Sequence, residues 1–382
     1  MLANRSRLTL LHNLAIMFFI LYLSNLSENL MQKPILLTGD TPTGKLHLGH
    51  WVGSLENRVS LQDDYACYFL LANPHAFSTK AEKPQEIRES VLDIVLDYLA
   101  VGIDPEKSCI FLESDVPAIF ELATYFSMII SYPRLMRNPT IKDEIRDKQL
   151  GDQFSMGFLL YPILQVADIL AFRADVVPVG EDQAAHLELT RETARKFNQL
   201  YCGVDSQTAD ADYVKAGGLF PVPHMMLGRT KKLIGLGAPN QDGNLLKMSK
   251  SLNNSILLSD SADIVRQKIM GMYTDPNRLR ASDPGTVENN PLWIFHDVFN
   301  TDKTWVEETK DKYRAGKIGD VDCKKKLIEI IVALLEPMQK RRAEYVNDKT
   351  HILSVIQKGA LTANQIANKT LHDAKEFMKQ LY

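Results

Sequence analysis

Apolar and polar positions change period along this chain. "PILLTG" (34–39) is a short apolar run ending in glycine, and "TPTG" (41–44) after it is turn chemistry. "YACYFLLA" (65–72) reads as a second, buried strand. Ile87, Val91, Ile94, Val95, Tyr98 and Leu99 then fall at helical spacing, "VGIDP" breaks the helix, and "CIFLES" (109–114) gives a further strand. "DVVPVGEDQ" (175–183) predicts a strand running into a turn, and "AAHLELTRETARKFN" (184–198) a helix with an acidic start and a basic end, which suits its dipole. Alternation of this kind predicts an α/β class with a parallel sheet and crossover helices. After about Ser255 the strand patterns stop. Leu327, Ile331, Leu334 and Met338 there space one apolar helical face, flanked by the cations Lys324 to Lys326 and Lys340 to Arg342. These cations read either as phosphate contacts or as two solvated helix ends. The expected organisation is an extension over 1–30, an α/β domain over 31–255 and a smaller helical domain over 256–382.

Composition adds bounds. At 382 residues and 45% hydrophobic the chain is long enough for two domains, and its net charge of −3 leaves any nucleic-acid contact to local patches. Cys67, Cys109, Cys202 and Cys323 are widely spaced with no C-x-x-C, so neither a disulfide framework nor a zinc site is signalled, and an intracellular, cytoplasmic protein is expected. The apolar run "LAIMFFILYL" (14–23) after Arg5 and Arg7 resembles part of a secretory signal, yet no small-x-small cleavage site follows it. It is also shorter than the about 20 residues that span a bilayer, so no stable membrane association is expected. A dispensable extension before Met31, an interfacial helix and a true signal are the three readings of this stretch.

Candidate chemistry begins at "LHLGHWVG" (46–53), where His47 and His50 flank Gly49 at a strand-to-helix turn. A metal pair on a helix ordinarily has three intervening residues and a nearby third ligand, so metal is the weaker reading and no metal site is expected. With Gly44 and Gly49 leaving backbone exposed, a helix starting near His47 offers free N–H groups and a positive dipole end to an anion such as a triphosphate. "KMSKS" (247–251) supplies two lysines and two hydroxyls after the loop-like "GAPNQDGNLL", suited to closing over a leaving pyrophosphate. Tyr161, Gln165 and Asp168 in "YPILQVADIL" lie on about one helical face, three polar groups in an apolar segment.

Together these stretches resemble the two signature motifs of the class I aminoacyl-tRNA synthetases, written HIGH and KMSKS. The Tyr-x-x-x-Gln-x-x-Asp arrangement resembles the amino-acid pocket of the tyrosyl and tryptophanyl members, and "VPVGEDQAAHLELTRE" with "MYTDPNRLRASDPG" (272–285) resembles the tryptophanyl ones. The resemblance runs from about Lys33 to the C-terminus. It implies a Rossmann-like catalytic domain, a helical domain that meets the tRNA anticodon, and a homodimer joined through helices after "CIFLES". It implies tryptophan–tRNA ligation, with ATP and Mg2+ consumed in forming tryptophanyl-adenylate and tRNA(Trp) as acceptor. The same reaction with tyrosine, and an inactive RNA-binding protein on this scaffold, are the alternatives.

Carried over by position, the resemblance puts Thr41, Pro42, Thr43, His47, Gly49 and His50 along the ATP phosphates and adenosine, and Gly180, Glu181 and Asp182 at the adenosine. Lys247, Met248, Ser249, Lys250 and Ser251 form the closing loop, with His47, His50, Lys247 and Lys250 as the catalytic set. Tyr161, Gln165 and Gln183 hold the ammonium group, and Asp168 accepts from the side chain of the amino acid. "NPHAFST" departs from the family's pattern at Asn73 and Pro74 while keeping His75, which leaves the role of His75 open, as it is for Lys142. Cys323 alone cannot ligate the cluster that some relatives carry in the helical domain.

Overall fold

The apolar run after Lys33 forms strand β1 (Ile35–Asp40), and β2 (Ala66–Leu71) is buried at every position. The computed structural model describes residues 33–147, 151, 153–180, 183–228, 233–250, 252–276, 278 and 280–382. The 1–30 extension, Glu181, Asp182 and Ser251 lie outside the described residues. Between β1 and β2 come α1 (Leu48–His50), a π turn over Trp51–Leu55, and α2 (Glu56–Ser60). Helices α3 (Asn73–Lys80) and α4 (Pro84–Val101) lead to β3 (Ser108–Leu112). Then α5 (Pro117–Ile129), α6 (Tyr132–Met136), α7 (Pro139–Asp147) and α8 (Met156–Ala171) precede β4 (Val176–Val179). Helix α9 (Ala184–Tyr201) connects to β5 (His224–Leu227).

The strands pair in the order β3-β2-β1-β4-β5, all parallel. Chain order reverses between β1 and β4, the place where doubly wound sheets open a crevice at the carboxyl ends of their strands. At Pro178 the ladder between β1 and β4 lacks a backbone donor. A proline in a central strand has no N–H for the ladder, and the pairing between β1 and β4 is Leu36 with Val176. Further along, the Thr38 hydroxyl donates to the Pro178 carbonyl at 2.7 Å. Strand β5 escapes the sequence pattern because it is an edge strand with mostly exposed side chains and no buried face.

After β5 come loops, and from Ala262 on the described elements are helices: α10 (Ala262–Met270), α11 (Pro291–Phe299), α12 (Lys303–Arg314), α13 (Asp320–Tyr345) and α14 (Lys349–Phe377). One core joins this region to the sheet, with Leu36, Cys67 and Ile94 in the same apolar cluster as Trp293, Leu327 and Ile331. On α13 Leu327, Ile331, Leu335 and Met338 are buried, and Leu334 is only half-buried.

The flanking cations need correcting. Lys324 is 4% exposed and donates to the Met270 and Met272 carbonyls at 3.1 and 2.7 Å and to Thr274 Oγ1 at 2.9 Å. Arg341 Nε donates to the Ala100 carbonyl at 2.7 Å, and Arg342 pairs with Asp97 and Asp93 on α4. These three side chains are tied to backbone and carboxylates, which a charge count along the sequence does not reveal, and they are not free for phosphates. Lys324→Met is therefore expected to destabilise the fold by roughly 1–3 kcal/mol, the cost of orphaned buried acceptors. Chemical denaturation reads this loss as a lowered midpoint at an unchanged slope.

Candidate active site

The turn that opens α1 is built by its two histidines. His47 at the N-cap accepts the Gly49 N–H on Nδ1 at 3.1 Å. His50, three residues on, accepts the His47 N–H on its own Nδ1, also at 3.1 Å. This is the reciprocal capping box usually made by Ser or Thr with Glu, made here by two imidazoles. Both Nδ1 atoms are acceptors, so each neutral ring carries its proton on Nε2. Burial, and then the His50 and lysine charges, depress His47 to about 2. Burial, partly opposed by Asp40, depresses His50 to about 4. At neutral pH both rings are uncharged N–H donors. A Cβ on Gly49 would come within 2.9 Å of the His47 ring, which explains the glycine between them.

The second loop is fastened to the first. Leu48 N–H donates to the Ile256 carbonyl and Leu258 N–H to the Leu46 carbonyl, each at 3.0 Å, an antiparallel bridge centred on His47 and Leu257. Met248 is buried at 2% exposure, and its N–H donates to the Leu233 carbonyl at 3.0 Å. The Asn254 side chain holds the loop from within, accepting from Ser249 N–H at 2.7 Å and donating to the Lys247 carbonyl at 3.3 Å. Gly44 has φ 124°, and a Cβ there would stand 3.3 Å from Lys250 Nζ, so the first loop makes room for the lysine of the second. Burial lowers the affinity of Lys250 for its proton, against the pull of Asp40.

These loops bound a cavity of about 560 Å³ at the crevice between β1 and β4. Of the residues expected at the site, Thr41, Thr43, His47, Gly49, His50, Gln165, Asp168, Gly180, Gln183, Lys247, Met248, Ser249 and Lys250 line it. Pro42 is buried and is not part of the lining. Tyr161 also stays out of the lining, because its hydroxyl is engaged with Glu144 and His186, each at 3.3 Å. Lys142 is exposed and away from the cavity. Gln165 Nε2 donates to Gln183 Oε1 at 3.3 Å, joining α8 to the start of α9.

Three residues matter here that sequence reasoning missed. Asp40, at the carboxyl end of β1, accepts from Arg58 at 2.7 Å and from the Tyr98 hydroxyl at 2.6 Å. Burial pushes its carboxyl up, and Arg58, His50 and these hydrogen bonds outweigh burial, so Asp40 lies below its ordinary value. Arg58, 2% exposed, also donates to Ser54 Oγ at 2.9 Å. Glu113 follows β3 and holds His75 Nδ1 at 2.9 Å, so His75 is a lining residue fixed from behind. The available signal was an acidic residue at or just after the carboxyl end of a parallel strand. Asp168 is 2% exposed, and its Oδ1 is buried with no hydrogen-bond partner. Burial, and then the Glu113 charge, raise its affinity for a proton.

The cavity thus gathers imidazole and ammonium donors, the buried Asp168 carboxylate with His75 beside it at 3.9 Å, and the apolar side chains of Leu37, Leu70 and Ile169. The family model described as tRNA synthetases class I (W and Y) matches residues 29–336. The tryptophan–tRNA ligase of Streptococcus pneumoniae is 46% identical over 353 residues, covering 91% of this chain and 98% of the relative. That of Streptococcus mutans is 44% identical over 355 residues, with the same coverage of each. The crystal structure of tryptophanyl-tRNA synthetase from Campylobacter jejuni, complexed with ADP and tryptophan, has a TM-score of 0.72 at 28% identity and covers 90% of this chain and 99% of that one. A tyrosyl-tRNA synthetase from Archaeoglobus fulgidus shares the fold, with a TM-score of 0.59 at 22% identity over 83% of this chain and 94% of that one. By the family match and by relatives aligned over nearly their whole length, the chain belongs to the class I tRNA synthetases of the tryptophan and tyrosine family.

Proposed function

We propose that the chain is an aminoacyl-tRNA ligase that activates tryptophan with MgATP and transfers it to tRNA(Trp). The observation that carries this reading is the buried, unpartnered Asp168 Oδ1 in the same cavity as the two signature loops. A buried acceptor without a partner is costly, and an indole N–H supplies one. Relatives 44–46% identical are tryptophan–tRNA ligases, which favours tryptophan over tyrosine.

In the first step a tryptophan carboxylate oxygen attacks the α-phosphorus of ATP, and the bond to the bridging oxygen breaks, releasing pyrophosphate. In the second step a ribose hydroxyl at the 3′ end of the tRNA attacks the adenylate carbonyl and AMP leaves. No protein nucleophile is needed. Catalysis rests on orienting carboxylate against phosphate and on donors fixed where charge grows. His47 and His50 give neutral N–H donors to the phosphates, and Lys247 and Lys250 meet the charge that develops on the leaving group. Thr41, Thr43, Gly49, Gly180, Glu181 and Asp182 cradle ATP, with Pro42 shaping the turn from behind and Met248, Ser249 and Ser251 the closing loop. Gln165 and Gln183 take the ammonium group, Tyr161 supports that end through α8, and Asp168 takes the indole.

The division at about residue 255 into catalytic and helical parts is part of this reading, as is a homodimer. Large apolar side chains on the helices after β3, Met128 at 77%, Tyr132 at 61% and Met156 at 67% exposure, support an interface there. A reaction on tRNA with ATP is assigned to the cytoplasm. Among the described residues no helix is long and apolar enough to cross a membrane.

ATP–pyrophosphate exchange tests the function, run with tryptophan, tyrosine and phenylalanine on the parent and on Asp168→Ala. Tryptophan should drive exchange in the parent. The variant should lose about 1–3 kcal/mol toward tryptophan and discriminate far less against phenylalanine, which offers no donor. A variant that keeps the parent's tryptophan-to-phenylalanine ratio removes Asp168 as the indole acceptor, and exchange driven by tyrosine alone overturns the substrate. For Lys250→Ala, single-turnover adenylate formation should slow by the roughly 3 kcal/mol typical of a lost transition-state contact. Tryptophan affinity should hardly change, and a rate close to the parent's contradicts the leaving-group role.

A further inference from the structure

The loop from Asp40 to Leu46, which leads into the histidine turn, is held at both ends by adjacent residues of one helix. At its start, Asp40 accepts from the hydroxyl of Tyr98 on α4 at 2.6 Å. At its end, the Leu46 N–H, one residue before the N-cap His47, donates to Asp97 Oδ2 at 2.9 Å. Asp97 is fully buried, and its other oxygen, Oδ1, pairs with Arg342 Nη1 on α13. Arg342 reaches Asp93 as well, at 3.4 Å, and its neighbour Arg341 is fixed to the Ala100 carbonyl. A continuous chain of contacts therefore runs from the C-terminal helical region, through one buried carboxylate, to the backbone of the catalytic turn.

We propose that Arg342 is a positioning residue for the reaction, setting the histidine turn through Asp97 and the Leu46 N–H. The inference rests on the functional reading above, which makes His47 and His50 phosphate donors. A buried carboxylate keeps its charge only beside a cation or several hydrogen bonds. Burial pushes Asp97 up to about 6, and Arg342 is the largest opposing influence. With the guanidinium gone, Asp97 is left with the Leu46 N–H and the more distant Lys45, and the carboxylate loses the partner that fixes its rotamer. The Leu46 N–H then loses a fixed acceptor, and the reciprocal bonds of His47 and His50 start from a looser backbone. Errors of this size in a preorganised site act on the rate of the chemical step more than on binding at the opposite end of the cavity. The proposed tryptophan contacts, Gln165, Asp168 and Gln183, belong to α8 and the start of α9, and neither Asp97 nor Arg342 lines the cavity.

The test uses the full chain with Arg342→Met, Arg342→Lys, Asp97→Asn and the Arg342→Met/Asp97→Asn double variant. Single-turnover adenylate formation and direct tryptophan binding are measured on each. Arg342→Met should slow adenylate formation by roughly tenfold or more with tryptophan affinity within about twofold. Arg342→Lys should recover most of the rate by restoring a cation at Asp97. If both residues act as one relay, the double variant should be no slower than the worse single variant. A clamp that merely stabilises the fold predicts additive losses, or a fall in tryptophan affinity alongside the rate, and either result overturns the proposal. Amide hydrogen exchange supplies a readout that needs no substrate. Residues 45–50 should exchange faster in Arg342→Met while β2 keeps its protection. Unchanged protection at 45–50 overturns the relay even if the enzyme is active. A parent that forms no tryptophanyl-adenylate fails the functional reading and leaves the exchange comparison to decide the relay.

Discussion

Two backbone hydrogen bonds, Leu48 N–H to Ile256 and Leu258 N–H to Leu46, join segments about two hundred residues apart and make one cradle of two loops. Everything at the phosphate end follows from that bridge. It sets the loop bearing Lys247 and Lys250 over the turn bearing His47 and His50, where Lys250 passes beside Gly44, whose φ of 124° favours glycine. The sheet contributes the space beneath. Chain order reverses between β1 and β4, and the cavity opens at the carboxyl ends of these strands.

Charge is distributed in the cavity by the same logic. Two lysines meet two uncharged rings rather than two more cations, because burial and the neighbouring ammonium groups keep the histidines neutral. A site with four cations would repel itself before any ligand arrived. Neutral imidazoles give directed N–H donors that need no reorganisation as phosphate charge moves toward the leaving group. The compensating anion, Asp40, is spent on Arg58 and Tyr98 below the turn, so it fixes the floor while the donors face the cavity.

Much of the fold was legible in the sequence. The apolar runs at 34–39, 65–72 and 109–114 and the run before the turn at Gly180 became strands of a parallel sheet, because buried central strands have a clear signature. Edge strand β5, with exposed side chains, does not. The signature loops were legible as motifs, and what the spacing of His47 and His50 does was not. Two histidines three apart suggested a metal pair or an anion site, and the reciprocal cap appears only once the backbone N–H directions are known. Tyr161 shows the limit of helical spacing. Placed on one face with Gln165 and Asp168, it is drawn aside by Glu144 and His186, partners distant in sequence. Lys324 and Arg342 show the same limit for charge, since a cation count cannot tell a solvated lysine from one buried among carbonyls.

The claim on which the account turns is that both signature histidines are neutral, with the proton on Nε2, before substrate binds. Nitrogen-resolved NMR of the imidazoles, assigned with His47→Asn and His50→Asn, measures this directly across pH. The account predicts two neutral rings at pH 7, each protonated at Nε2, with His50 titrating near 4 and His47 near 2. Between about 6.5 and those values the unfolded chain binds protons that the folded turn refuses, so stability falls as pH drops through that window. ATP should shift both Nε2–H resonances. An imidazolium at pH 7, or a proton on either Nδ1, would contradict the reciprocal cap and the donor role built on it.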